Sequence, residues 1–355
     1  MSGRPRAVGQ PITGRKIRMA VVGCGRIAER HFEAFAAHAA DCEVVAVCDT
    51  DAAALAAAVE HTGAKGFASL DALLAGSDAD VVVLATPSGL HARQAIRCAE
   101  AGRHVVTEKP MATRWEDGKA MVAACDAADV RLFVVKQNRR NATIQLLKRA
   151  VDAGRFGRIH MVAVNVFWSR PQEYYDSAEW RGTWEFDGGA FMNQASHYVD
   201  LLDWLVGPVE SLQAYTATLA RQIEVEDTGV LAIRWRSGAL GTMAVTMLTH
   251  PRNYEVYTLS LHDALPICGV AVNQIEHWEF ADSHPDDARV ADASYATTSV
   301  YGHGHRGYYE NVIGTLRGTE LPETDGREGL HSLELLIATY LAARDGRRVA
   351  LPLEY

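Results

Sequence analysis

The chain has 355 residues, a length that favours two domains, each large enough to bury its own core. Hydrophobic residues make up 48% of the chain and charged residues 22%, which is typical of a soluble globular protein. The 35 basic and 44 acidic side chains give a formal net charge of −9, which argues against a nucleic-acid-binding or basic membrane-surface protein. An anionic ligand would therefore have to meet a few locally placed Arg and Lys side chains.

The sequence also predicts the cellular compartment. No apolar run approaches the ~18 residues of a membrane span, and the N-terminal segment lacks the apolar stretch of a secretory signal. Residues 1–15 are expected to form a disordered tail. The six cysteines show no C-x-x-C pair, so neither disulfides nor a structural zinc site are expected. These features predict a cytoplasmic protein with reduced thiols and no membrane partner.

Residues 16–136 alternate short apolar runs with helical patterns. The predicted strands are Ile17–Val22, Glu43–Cys48, Asp80–Ala85, a run that begins at His104, and Arg131–Val135. The predicted helices are Arg26–Ala40, Ala52–His61, His91–Ala101 and Trp115–Ala128. Strands that alternate with helices of this length indicate βαβ units, a parallel sheet and a Rossmann-type α/β domain.

Residues 137–355 follow a different pattern. The predicted helices are Thr143–Ala153, Gly189–Leu205 and Gly329–Arg344. The predicted strands are Ile159–Trp168, Ser211–Leu219, Gly229–Trp235, Ala239–Met247 and Arg348–Leu353. Two of these strands flank Ser237-Gly238, a turn typical of a hairpin. The pattern predicts an α+β domain with a large, mostly antiparallel sheet.

A glycine-rich turn separates the first strand from the first helix. It reads G-C-G-R-I-A, in which Gly23 permits the tight turn and Gly25 lets a pyrophosphate approach the backbone beside Arg26 and Ile27. Asp49 ends the second strand, where an acid hydrogen-bonds the ribose 2′-hydroxyl and repels a 2′-phosphate. An ordinary glycine turn would have the same letters, but its context and Asp49 favour a dinucleotide site that prefers NAD to NADP.

The loop after the third predicted strand contains Thr86, Pro87 and Ser88. Ligands of open parallel sheets bind outside the carboxyl ends of the strands, so this loop is expected to border the nicotinamide half of a dinucleotide. The alternative is a plain strand–helix loop that Ser88 caps, and the two interpretations are compatible.

Four motifs are shared with a known family: GCGRIA, ATPSGLH, the tripeptide EKP, and GGAFMNQASHYVDLLDW. With them the chain resembles, over nearly its whole length, the glucose–fructose oxidoreductase/inositol dehydrogenase (Gfo/Idh/MocA) superfamily of NAD(P)-dependent sugar dehydrogenases. Beyond the glycine turn and Asp49, the cofactor-binding residues that the resemblance implies are Thr86, Pro87, Ser88, His91, Glu108, Lys109 and Gln137.

The same resemblance implies two catalytic residues, Lys109 of the EKP tripeptide and His197. An imidazole suits the removal of a hydroxyl proton, and an ammonium suits stabilisation of the developing alkoxide. The residue types alone do not decide which of the two is the base. Some family members have an Asp four residues before the His, where this chain has Asn193, which calls into question any scheme that needs a second carboxylate.

No metal site is predicted. Asp200 and Asp203 follow His197 on the predicted helix, but no further ligand pattern supports a metal there. His303 and His305 stand in the segment YGHGHRGYY, whose glycines favour a loop.

Long runs in the second half of the chain, including FWSRPQEYYDSAEWRGTWEF, resemble the nucleotide-sugar branch of the superfamily. That branch oxidises the C3 hydroxyl of a UDP-linked N-acetylglucosaminuronic acid on the way to diacetamido-uronic acids of surface polysaccharides. Its members are homotetramers, and some regenerate NAD by reducing 2-oxoglutarate. The sequence does not decide whether this chain uses 2-oxoglutarate. Another sugar or a cyclitol as substrate, or a non-catalytic NAD-binding regulator, are the alternatives.

A substrate with a carboxylate and a diphosphate needs cations around it. The substrate-binding residues expected from the branch are Lys109, Asn138, Arg139, Trp168, Arg170, Tyr174, Arg181, Asn193 and His197, with Arg140 and Tyr175 as further candidates. For each of them, a solvated charge or a buried aromatic is the alternative interpretation.

The decapeptide Thr258–Ile267 differs from its surroundings. Related enzymes have a glycine-rich hairpin at this place, whereas TLSLHDALPI resembles a one-frame translation of a short-read sequencing adapter. We therefore hypothesise that residues 258–267 are an assembly artefact rather than natural protein. Resequencing the source DNA across this segment tests the hypothesis, and uninterrupted reads through the decapeptide contradict it.

Overall fold

The computed structural model describes residues 9–261, 267–270, 273–280, 282–295 and 302–353. The chain forms two compact units. The first comprises Met1–Lys136 and His305–Leu330, and the second comprises Gln137–Gly304 and His331–Tyr355. In the described part of the chain, no helix is both long enough and apolar enough to cross a bilayer.

The first unit contains a parallel sheet. Among the described residues its six strands are β1 (Ile17–Val22), β2 (Cys42–Cys48), β3 (Lys65–Phe67), β4 (Val81–Leu84), β5 (His104–Thr107) and β6 (Leu132–Val134). They lie in the order β3-β2-β1-β4-β5-β6, the arrangement of a dinucleotide-binding Rossmann fold. All four side chains of β4 are buried, as expected for a strand with helices on both faces of its sheet.

The helices between these strands are α1 (Ala28–Ala37), α2 (Ala52–Thr62), α3 (Leu70–Gly76), α4 (His91–Glu100) and α5 (Trp115–Ala127). The sequence predicted four of them, with ends that differ by a few residues. The helices that follow are α6 (Ala142–Asp152), α7 (Gln172–Asp176), α8 (Ser196–Val206), α9 (Val290–Ala293), α10 (Gly304–Arg317) and α11 (Gly326–Asp345).

Helix α10 belongs to the first unit, although the sequence analysis assigned every residue after 136 to the second domain. Tyr309, Val312 and Leu316 recur at helical spacing and are buried in the core of the first unit. The ring of Tyr309 lies 4.7 Å from that of Phe35 on α1. This apolar face explains why the segment with His303 and His305, predicted to be a loop, is helical from Gly304 onward.

The second unit contains a mixed sheet of eight strands among the described residues. They are β7 (Ile159–Phe167), β8 (Val209–Ala217), β9 (Thr228–Trp235), β10 (Leu240–Thr246), β11 (Tyr254–Leu261), β12 (Ile267–Val270), β13 (Gln274–His277) and β14 (Val349–Ala350). The order is β13-β12-β11-β7-β10-β9-β8-β14. Only β7 and β10, among these described strands, pair in parallel, so the predicted mostly antiparallel sheet is confirmed.

The hairpin predicted at Ser237-Gly238 joins β9 to β10, and Gly238 adopts φ +90°. Burial alternates along β9 and β10, so one face of this region is packed and the other is open. The open face presents large apolar side chains, among them Tyr215, Val230 and Leu240.

Parts of the decapeptide Thr258–Ile267 lie in two antiparallel strands, β11 and β12, which pair Leu259 with Ile267. Residues 262–266 lie outside the described residues. The origin of the segment stays a hypothesis.

Candidate active site

The glycine turn after β1 has the shape that a dinucleotide requires. Gly23 adopts φ +91°, and a Cβ there would lie 2.7 Å from the carbonyl carbon of Ala85, so a side chain has no room. A Cβ on Gly25 would meet no described atom within 4 Å. Open space therefore lies where a pyrophosphate would approach the backbone, with exposed Arg26 and half-buried Ile27 just before α1.

Asp49, at the end of β2, is held by the backbone of two neighbouring loops. The N–H of Cys24 donates to its Oδ2 at 2.7 Å, and the N–H of Asp51 donates to its Oδ1 at 2.9 Å. Each carboxylate oxygen keeps capacity for a further hydrogen bond. A ribose hydroxyl can use that capacity, whereas a 2′-phosphate is repelled by the charge, so the residues fit NAD.

The loop after β4 is fixed by its own side chains and by α4. The Thr86 hydroxyl donates to Gln94 Oε1 at 2.6 Å, and Pro87 precedes a 3₁₀ turn, Ser88–Leu90, that begins with the buried Ser88. Strand β4 pairs in parallel with β1, so the loop after β4 and the glycine turn after β1 lie at the same edge of the sheet. This is the edge at which a Rossmann domain binds its cofactor, as predicted.

His91 has a different place from the one expected. It is buried, with Nδ1 3.0 Å from the carbonyl oxygen of Pro110 and Nε2 2.9 Å from that of Thr86. Burial lowers its pKa. Both ring nitrogens face main-chain oxygens, and a neutral ring donates its single N–H to one of the two. The expectation that His91 contacts the cofactor is therefore replaced by a supporting role between the two loops.

Glu108 likewise faces the interior of the first unit rather than an open cofactor site. Its Oε1 lies 3.2 Å from His31 Nε2 and 3.7 Å from His305 Nε2, and its Oε2 accepts the N–H of Lys109 at 3.1 Å. Burial alone would raise the pKa of Glu108, but the imidazoles of His305 and His31 that face its Oε1 hold that pKa well below its usual value. The sequence analysis missed this cluster because its members are far apart in the chain.

In the second unit, Gln137 and His197 lie close together. Both are buried, and Gln137 Nε2 lies 3.5 Å from His197 Nε2. Gln137 Oε1 and Asn138 Oδ1 are also buried, and neither has a hydrogen-bond partner among the described residues. A ligand that enters here could satisfy both atoms.

Arg139 is committed to a protein partner. Its Nε and Nη2 donate to the two carboxylate oxygens of Asp200 at 2.8 and 2.7 Å, and both side chains are buried. The guanidinium also stacks over Trp204, 5.2 Å from the ring centre. We therefore correct the expectation that Arg139 receives the substrate: it joins the 3₁₀ turn Gln137–Arg140 to α8.

The helix predicted at Gly189–Leu205 is divided. A π-helical turn, Ala190–Gln194, precedes α8, so Asn193 and His197 are not on one regular helical face. Glu226 anchors this turn by accepting the N–H of Phe191 at 3.0 Å and the hydroxyl proton of Tyr340 at 2.9 Å. The half-buried Asn193 stands where some relatives have a carboxylate. Its side-chain amide donates a hydrogen bond to Asp187 Oδ1.

Two other arginines that were predicted to bind the substrate, Arg170 and Arg181, lie against aromatic rings. The Arg170 guanidinium lies 4.6 Å from the ring centre of Trp168 and 5.2 Å from that of Tyr174. The Arg181 guanidinium lies 4.4 Å from the Tyr174 ring. Within the described residues neither guanidinium forms an ion pair with a carboxylate, and both are half-buried. Tyr174 thus lies beside two guanidinium groups that have no carboxylate partner among the described residues.

Three family models match successive parts of the chain. Residues 17–136 match an oxidoreductase family with an NAD-binding Rossmann fold, residues 144–263 a GFO/IDH/MocA C-terminal domain, and residues 267–351 an oxidoreductase C-terminal alpha/beta domain. The first unit is therefore an NAD-binding domain. This assignment agrees with the open space at Gly25 and with the position of Asp49, which both suit NAD.

Two solved structures are similar to nearly the whole chain. The WlbA dehydrogenase of Chromobacterium violaceum, in complex with NADH and UDP-GlcNAcA, is 67% identical with a TM-score of 0.93, covering 98% of this chain and 99% of that one. The WlbA dehydrogenase of Bordetella pertussis, in complex with the same two molecules, is 65% identical with a TM-score of 0.94, covering 97% and 100%.

A more distant relative extends the comparison to another substrate. The D-apiose dehydrogenase of Paraburkholderia graminis is 28% identical over 357 aligned positions, which cover 96% of this chain and 91% of that enzyme. By their names, these proteins are all dehydrogenases. The domain models and the full-length similarity show that this chain belongs to the Gfo/Idh/MocA family of NAD-dependent oxidoreductases.

Proposed function

We propose that this protein is a UDP-N-acetyl-2-amino-2-deoxyglucuronate dehydrogenase, which oxidises the C3 hydroxyl of that sugar to a ketone. The observation that carries the proposal is the 67% identity, over nearly the whole of both chains, to a dehydrogenase solved with NADH and UDP-GlcNAcA. The turn at Gly23 and Gly25 and the backbone-held Asp49 support NAD as the oxidant. When bound, NAD accepts the hydride that leaves the sugar carbon.

His197 and Lys109 divide the remaining chemistry in this proposal. His197 takes the hydroxyl proton, since an imidazole titrates near neutral pH and Gln137 lies beside its Nε2. Lys109 contributes a positive charge that stabilises the oxygen as the proton leaves. The carboxylate that some relatives place four residues before the histidine is absent, and Asn193 is held by Asp187 instead. The proposed proton transfer therefore needs a single base.

In this proposal the second unit binds the nucleotide sugar. Arg170 and Arg181, both next to the Tyr174 ring, supply two charges for a carboxylate or a diphosphate. Asn138, whose Oδ1 is buried and has no partner in the described part of the chain, supplies a hydrogen-bond acceptor for a sugar hydroxyl. Trp168 is itself buried beneath Arg170 and acts as a wall rather than a stacking surface.

The wider setting is also proposed. We infer a cytoplasmic homotetramer that acts in the synthesis of diacetamido-uronic acids for surface polysaccharide such as O-antigen. The apolar side chains on the open sheet face support self-association. Reduction of 2-oxoglutarate is the proposed way to regenerate NAD, and release of labelled 2-hydroxyglutarate during turnover tests it.

The direct test is incubation with NAD and UDP-GlcNAcA, followed at the NADH absorbance band. UDP-GlcNAc, which lacks the carboxylate, and myo-inositol, which lacks the nucleotide, are the matched controls. We expect NADH formation with the uronic acid and at least about tenfold less with either control. Preference for myo-inositol would instead indicate a cyclitol dehydrogenase, and NAD binding without turnover of any sugar would indicate a regulator.

A further inference from the structure

Three buried side chains in the first unit form a cluster that the proposed chemistry does not use. We name His31 on α1, Glu108 after β5 and His305 on α10 the His–Glu–His cluster. Their exposed fractions are 0%, 6% and 5%. The Nε2 atoms of both histidines face the same carboxylate oxygen of Glu108, at 3.2 and 3.7 Å. On its far side His31 is fixed by a 2.7 Å hydrogen bond between its Nδ1 and the hydroxyl of Tyr309.

The second carboxylate oxygen of Glu108 faces the EKP turn. It accepts the main-chain N–H of Lys109 at 3.1 Å. On the other side of Lys109, the carbonyl oxygen of Pro110 is 3.0 Å from His91 Nδ1. The backbone of Lys109 is therefore held from both sides by buried polar side chains, and one of these supports leads through Glu108 to helices α1 and α10.

The charge of Glu108 indicates what this arrangement does. A buried carboxylate is costly unless it is hydrogen-bonded or paired, and two imidazoles provide that compensation here. An ionised Glu108 accepts strongly from the Lys109 N–H, because hydrogen bonds to a charged acceptor are about twice as strong as neutral ones. A side chain that merely filled this space would need no charge.

We propose that Glu108, supported by His31 and His305, is a positioning residue that fixes the backbone of Lys109 and so aims its ammonium at the reacting oxygen. The inference rests on the proposed function, because it assigns Lys109 a role in turnover. It differs from the expectation that Glu108 binds the cofactor, since one of its oxygens faces two imidazoles and the other accepts a main-chain N–H, all within the first unit.

The experiment is a double-mutant cycle on the full-length protein, with NAD and UDP-GlcNAcA as substrates. Glu108→Gln keeps the size of the side chain but removes its charge. We expect kcat to fall about 10²-fold, the usual cost of misplacing a reacting group by about 1 Å, with KM changed less than about threefold. Because Glu108 acts through Lys109, Glu108→Gln/Lys109→Met should be no more than about threefold slower than Lys109→Met alone.

A matched control separates positioning from loss of stability. Asp80, at the opposite end of the same sheet, is a half-buried carboxylate with cationic partners, Arg15 and Arg18. Asp80→Asn should lower the melting temperature at least as much as Glu108→Gln and leave kcat unchanged. His305→Gln removes one support of the carboxylate and should repeat the fall in kcat on a smaller scale, which keeps the test available if Glu108→Gln does not fold.

The outcomes distinguish the inference from the proposed function. If wild-type protein forms no NADH, or if Lys109→Met turns over normally, the proposed function fails and the inference fails with it. If Lys109→Met is slow but Glu108→Gln is normal, or if the two effects multiply in the double variant, the inference alone is wrong. One equivalent of zinc in purified wild-type protein, lost in His305→Gln, would also overturn it, because the cluster would then be a metal site.

Discussion

At the scale of single residues, Asp49 shows how one side chain selects between two cofactors. Its carboxylate is fixed by the N–H groups of Cys24 and Asp51, so it cannot turn away from an incoming ribose without losing two hydrogen bonds. Hydrogen bonds to a charged acceptor contribute about 1.5–3 kcal/mol each. The negative charge is therefore a rigid feature of the adenosine end of the site.

We expect NAD to bind at least about tenfold more tightly than NADP, because the fixed Asp49 carboxylate repels a 2′-phosphate. Asp49→Ala should narrow this difference by weakening NAD binding. Fluorescence titration of both cofactors measures it. Similar dissociation constants in the wild-type protein would show that another group neutralises the phosphate.

The proposed acid–base roles lead to different pH profiles for two variants. His197→Asn should lower turnover ~10²–10⁴-fold, the usual contribution of general acid–base catalysis, and should remove a limb near neutral pH. Lys109→Met should slow the reaction at all pH values, because it removes a charge directed at the developing alkoxide. NAD binding should survive both substitutions, since neither residue belongs to the glycine turn.

Measurement of kcat against pH for both variants distinguishes the roles. If His197→Asn keeps the neutral limb and Lys109→Met loses it, then lysine is the base. Near-normal turnover in both variants would contradict catalysis by this pair.

The sequence predicted single residues well where the signal was local. The positive φ of Gly23 and the place of Asp49 follow from a short motif in a strand–turn–helix context. The sequence could not show that Arg139 is neutralised by Asp200 or that His305 reaches Glu108, because both contacts depend on tertiary packing across long separations. Residue type indicated which side chains carry charge, but packing decides which of those charges remain free.

At the scale of elements, the π-helical turn before α8 is the feature that depends most on its neighbours. Gly189 packs so closely on Glu226 that a Cβ would lie 1.6 Å from the carboxylate. Burial raises the pKa of Glu226 to about 7, and its Oε2 has no hydrogen-bond partner among the described residues. The protonated form therefore suits this place better than the ionised form.

This raised pKa makes stability depend on pH. A carboxyl whose pKa is 4.5 when unfolded and about 7 when folded binds more protons in the native state, so its contribution is complete below pH 4.5 and is lost as the pH rises to about 7. Glu226→Gln imitates the protonated form. We expect this variant to melt at a higher temperature than wild type at about pH 8 and at a similar temperature at about pH 5.

Thermal melts across this pH range test the prediction. Glu210→Gln, on β8 of the same sheet and only partly buried, is the control that should follow the wild-type curve. Parallel curves for wild type and Glu226→Gln would show that Glu226 is already ionised when the protein is folded.

The link between the 3₁₀ turn and α8 is a second prediction at this scale. Asp200→Asn removes the charged partner that accepts two hydrogen bonds from the buried Arg139 guanidinium, and breaking a buried pair in this way typically costs about 3–5 kcal/mol of unfolding free energy. Asp152→Asn removes an exposed pair with Lys148 on α6 and should cost only a few tenths of a kcal/mol. Urea denaturation of the two variants measures the contrast, and equal losses would mean that the buried pair contributes little.

At the scale of the whole molecule, alternation of strands and helices was enough to predict a Rossmann domain and an antiparallel second domain. It was not enough to place α10, because amphipathic spacing shows that a helix buries one face and not which core receives it. Tyr309 packs against Phe35 of the first unit even though most of the intervening chain builds the second. The pattern also did not predict that β7 pairs in parallel with β10, because it shows where strands occur and not which strands pair.

The open face of the second sheet leads to the last prediction, which concerns assembly. Tyr215, Val230 and Leu240 are 69%, 47% and 50% exposed on β8, β9 and β10. A sheet face with several large apolar side chains is more often covered by another protein than exposed to solvent. A second copy of the chain has the same apolar face and can pair with it. We therefore expect the wild-type protein to be a homotetramer at micromolar concentration.

Val230→Glu with Leu240→Lys places charges on this face without touching the packed side of the sheet. We expect light scattering to show a smaller species, and the unfolding free energy of the isolated subunit to change by less than about 1 kcal/mol, as for most surface substitutions. Leu321→Glu, an equally exposed apolar position in the first unit, is the matched control and should leave the mass unchanged. A wild-type monomer would contradict the prediction outright, whereas a tetramer that survives the double substitution would mean that the subunits associate through another surface.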